Sequence, residues 1–92
     1  MNWRLLSVVS KLGERLEDEE IPVKSVEIEG TQVGSDIIAK FILYDTKINI
    51  WKLTKALRGF SSDSFEIIDH RLCISVLIEE KDYRKMVEEA GE

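Results

Sequence analysis

Leu5, Leu6, Val8, Val9, Leu12 and Leu16 recur at the three-and-four spacing of one helical face. They predict a first helix with Asn2 as its N-cap, ending near Glu20 or Ile21 because Pro22 cannot continue it. Trp3 falls roughly 160° from the centre of that apolar face at 100° per residue, so it is expected outside. Val26 and Ile28 then alternate with Glu27 and Glu29, the two-residue period of a half-buried strand over 23–29. Residues 37–44 are nearly all apolar and read as a second strand. Gly30 and Gly34 bracket the short link, which predicts an antiparallel hairpin. A second helix is expected over about 50–58, with Asn49 as N-cap and Gly59 at the position just past its end. The "SSDS" stretch reads as a loop, followed by strands over 65–69 and 72–79 around a tight turn at 69–71. Tyr83, Met86, Val87 and Ala90 mark a short final helix.

The resulting order, αββαββα, predicts a single α+β domain spanning 1–92. Its core is a four-stranded antiparallel sheet with the first two helices on one face. The first six elements are a cyclic rearrangement of βαββαβ, the ferredoxin-like order. In such a sheet Phe41, Leu43, Ile74 and Val76 point to the helices. Ile38, Lys40, Ile42, Tyr44, Ile68, Cys73, Ser75 and Leu77 then line the opposite face. A wet sheet face should be polar, and this one is half apolar. A cover is therefore expected, either the third helix or a second copy of the chain. On the second reading Ile38, Ile42, Tyr44, Ile68 and Leu77 supply the buried contact of a homodimer.

Ninety-two residues suit one domain with one modest core. An apolar fraction of 43% beside 34% charged residues argues against disorder. No apolar run approaches the ~20 residues of a membrane span, and the amino-terminal pattern is periodic and charged, so a helix is expected there and not a signal peptide. A single cysteine excludes an internal disulfide and fits a reducing cytoplasm. Plentiful Glu, Lys and Ile with only six Asn, Gln, Cys and Met residues resembles a composition selected at high temperature.

Charge is segregated along the chain. Residues 46–60 hold four basic residues and no acidic one, while the other 77 carry nine basic and eighteen acidic, a net of −9. Lys47, Trp51, Lys52, Lys55 and Arg58, with Arg71 from the last turn, therefore form a candidate surface for phosphates, stacked bases or an acidic partner. The overall charge of −5 opposes nucleic acid at long range. The polar face of an ordinary surface helix explains the same residues, and cations near its C-terminal end suit the helix dipole. The acidic run "EDEE" at 17–20 sits where that dipole disfavours it, at the end of the first helix. The two runs could pair between subunits.

Catalytic motifs are absent from the sequence, and an enzyme using His70 as a base is the third and least supported reading. His70 and Cys73 stand at H-x-x-C spacing, but one His and one Cys supply half of a zinc site, and the strand period separates Cys73 from the turn that carries His70. There is no Walker-type, dinucleotide-binding, nucleophile-elbow or H-E-x-x-H motif. The expectation is a non-catalytic interaction module with no cofactor and no metal, with nucleic-acid or acidic-ligand binding by the second helix as the alternative.

Overall fold

A computed structural model describes residues 3–31, 34, 36–44 and 47–90. It contains α1 (Trp3–Asp18), β1 (Val23–Gly30), β2 (Ile37–Leu43), α2 (Ile50–Ala56), β3 (Ser61–Ile68), β4 (Arg71–Ile78) and α3 (Glu80–Ala90). The expected cap at Asn2 lies outside the described residues. The strands form one open antiparallel sheet in the order β1-β2-β4-β3. That order is consistent with a cyclically permuted relative of the ferredoxin-like arrangement.

The alternation in β2 sorts the two faces. Ile37, Ala39, Phe41 and Leu43 form the inward set, all buried. Their direct partners Ile74, Val76 and Ile78 on β4 are buried with them.

 Position 39 is alanine, the smallest of the four inward side chains of β2. From the helix layer Leu5, Val8, Leu12 and Leu16 of α1 and Leu53, Ala56 and Leu57 around α2 complete one core, with Tyr83 and Met86 of α3 packed against it.

All three helices therefore lie on the same side of the sheet. Arg4 of α1 pairs with Glu80 at the start of α3 at 3.2 Å and stands 5.9 Å over the Tyr83 ring. The third helix does not cover the opposite sheet face. The Cα extents of 35 × 33 × 17 Å agree, because 17 Å is the depth of one helix layer on one sheet.

Several local expectations hold. Asn49 caps α2, its side chain accepting from the backbone N–H of Trp51 and Lys52. Asn49→Ala is expected to cost about 1 kcal/mol, visible as a fall in Tm of about 4–8 °C. Asp69 and His70 both have positive φ, 51° and 63°, as the two-residue turn between Ile68 and Arg71 demands. Trp3 is exposed.

Others are corrected. The "SSDS" stretch is not a loop: β3 begins at Ser61, opposite Leu77, with an irregular register between Ser62 and Ser64. The backbone of β4 needs hydrogen-bond partners along its whole length, and that requirement overrides the weak strand preference of serine. The second helix ends at Ala56 with Leu57 as cap, so Gly59, at φ 91°, lies two residues past the cap. Ile50, expected in the core, is 63% exposed, because it opens the helix before the chain turns inward. Val26 and Val87 are likewise exposed.

The chain leaves α1 through its acidic run. Ile21 N–H donates to Leu16 O and Glu20 N–H to Glu17 O, the paired bonds of a Schellman motif. Glu20 takes the left-handed position at φ 62° that glycine usually fills, and Ile21 is buried just beyond it.

Candidate functional site

Residues directly opposite one another in an antiparallel sheet share a face, so the register lays out the open side row by row. Ser25, Ile42, Cys73 and Glu66 form one row. Glu27, Lys40, Ser75 and Ser64 form the next, and Glu29, Ile38 and Leu77 lie beyond it. Arg71 stands opposite Ile68 at the other end. The centre is thus Ile38, Ile42 and Leu77, half-buried, around Cys73 and Ser75, which their larger neighbours bury. Tyr44 follows β2 directly and is exposed, as is Ile68 at 41%. The predicted contact residues Ile38, Ile42, Ile68 and Leu77 therefore do share one face. Acidic Glu27, Glu29 and Glu66 and basic Lys40 and Arg71 surround or interrupt it, both signs on one surface.

The basic segment is differently placed. Lys52 Nζ lies 3.4 Å from Glu20 Oε2, and Lys55 Nζ lies 3.3 Å from Glu19 Oε1. Glu17 accepts from Val23 N–H at 3.2 Å. So the acidic end of α1 and the basic face of α2 meet within one chain, which answers the charge segregation without a second subunit. Each pair is exposed on at least one side and contributes at most about 1 kcal/mol. Their larger effect is to reduce the positive field of α2. Trp51 remains 81% exposed, and Lys47 and Arg58 are exposed at either end. Arg71 lies on the open sheet face, away from α2, and the structure does not bring it into that group.

Phe65 and Ile67 were not expected as surface residues. They alternate with Glu66 on β3, on the helix side by register with Ile74 and Leu72, yet are 54% and 68% exposed. The helix layer, with α2 only seven residues long, leaves that end of the outer strand uncovered. Their alternation was readable, but the reach of the helices was not.

His70 is exposed in its turn, whereas Cys73 is buried and its thiol donates to Arg71 O at 3.9 Å. Among the described residues no group of three or more His, Cys, Asp and Glu is placed to hold a metal ion. No described helix is long and apolar enough to cross a membrane. No family model, curated protein or solved structure gives a significant match to the chain.

Proposed function

We propose that this protein is a non-catalytic interaction module that self-associates through its open sheet face. The observation that carries the reading is the placement of all three helices on one side, leaving Ile38, Ile42, Ile68 and Leu77 together on the other. Four strands spaced about 4.8 Å apart, seven or eight residues long at about 3.3 Å rise, outline roughly 20 × 25 Å. Two such faces together bury on the order of 1,000 Å², the lower limit of a specific interface. A second copy suits the face because its charges are mixed, so a two-fold contact can set Lys40 or Arg71 against Glu27, Glu29 or Glu66 of the other copy.

Sedimentation across a range reaching ~100 μM tests this, since weak dimers have dissociation constants in the micromolar range. A reversible monomer–dimer equilibrium is expected. A strict monomer throughout would contradict the reading.

A further inference from the structure

We infer that the cleft between α1, α3 and the α2–β3 link binds a small organic dianion, a phosphate monoester carried on an apolar body. The cleft has a volume of about 670 Å³, within the range of small-molecule sites. Four cations line it: Lys11 and Arg15 from α1, Arg58 from the link and Lys85 from α3. In a chain of net charge −5 this is a concentration of one sign.

The two carboxylates in the same wall, Asp82 and Glu89, offset the four cations only in part. Asp82 is buried and its Oδ2 accepts from Glu79 N–H at 2.8 Å, which commits it to capping α3. Glu89 is exposed and is the remaining carboxylate of the lining. Arg15 is held in place, donating to Lys55 O and Arg58 O at 3.2 and 3.3 Å with its guanidinium 5.6 Å over the Phe60 ring. Lys85 Nζ comes within 3.9 Å of where a Cβ at Gly59 would stand, so the absence of a side chain there leaves room beside the ammonium. The side chains of Arg58 and Lys85 have no ion-pair partner among the described residues. Lys11 pairs with Glu14 at 3.6 Å, but Arg58 and Lys85 add like charge to the same wall, and a bound dianion relieves their repulsion. A guanidinium fork matches the tetrahedral oxygens of phosphate. Val8, Phe60 and Met86 supply an apolar wall for the rest of the ligand.

The test is an NMR titration of the full chain with phenyl phosphate, with inorganic phosphate and phenol as controls. Phenyl phosphate is expected to shift the amides of Arg58, Gly59, Phe60 and Lys85, inorganic phosphate to shift them at higher concentration, and phenol to leave them unmoved. Arg58→Glu and Lys85→Glu, both at exposed positions, should each weaken binding about tenfold or more. Their amide spectra report directly that the fold is kept, and Lys85→Gln gives a milder loss should charge reversal disturb it. Ile42→Glu on the sheet face should leave the titration unchanged, which separates this inference from the proposed self-association. The inference is overturned if phenyl phosphate at about 10 mM, a weak-binding limit, moves none of these amides. Undiminished binding by Lys85→Glu and Arg58→Glu overturns it equally.

Discussion

Phe41→Ala is expected to destabilise the protein by about 3–5 kcal/mol. Phe41 is fully buried at the centre of β2, between Val26 and Ile74 in the register. Its ring edge reaches α1, where a Cβ added to Gly13 would stand 4.0 Å from Cε1. Truncation removes the contact between the two layers at their middle and leaves a cavity that a sheet fixed on both sides cannot close. A domain of this size is stable by only about 5–14 kcal/mol, so the variant should lose a large share of its margin. Urea unfolding at constant slope measures the change. A loss below about 1 kcal/mol would mean that the layers repack, and that Phe41 is not the joint described here.

Ile42→Glu and Leu77→Glu are expected to abolish the proposed dimer while leaving the monomer folded. Both side chains are half-buried on the open face of the monomer, so a glutamate there keeps access to water. In a face-to-face dimer the same carboxylate loses that water without a designed partner, a penalty of several kcal/mol. A shift of about 3 kcal/mol is a weakening of about a hundredfold. Ile67→Glu, on the exposed outer strand but on the helix side, is the control. If Ile67→Glu dissociated the dimer and Ile42→Glu did not, the edge of β3 would be the contact, since an exposed apolar edge strand also recruits another chain.

The elements and their order were legible because their signals are local. Periodicity in α1, alternation in β1 and β2, and the residues at Asn49 and at 69–70 each act within a few positions. The two faces of the sheet were legible for the same reason, since a strand fixes which side each residue takes. What depended on distant parts of the chain was not. The "SSDS" strand exists because β4 needs a neighbour. Ile50, Phe65 and Ile67 are exposed because α2 is short and the helix layer stops before the outer strand. The opposed charges of 17–20 and α2 were visible in sequence, but their meeting within one chain followed only from where α1 ends. Of the candidate site, the shared face of Ile38, Ile42, Ile68 and Leu77 was legible; the side on which α3 packs was not.

The central claim is the proposed self-association through the open sheet face, and intermolecular NOEs in a sample mixed from isotope-labelled and unlabelled protein test it most directly. The account predicts such NOEs between the methyl groups of Ile38, Ile42, Ile68 and Leu77 of one copy and the same group on the other. NOEs confined to Phe65 and Ile67 or to the helices, with the open face silent, would contradict it.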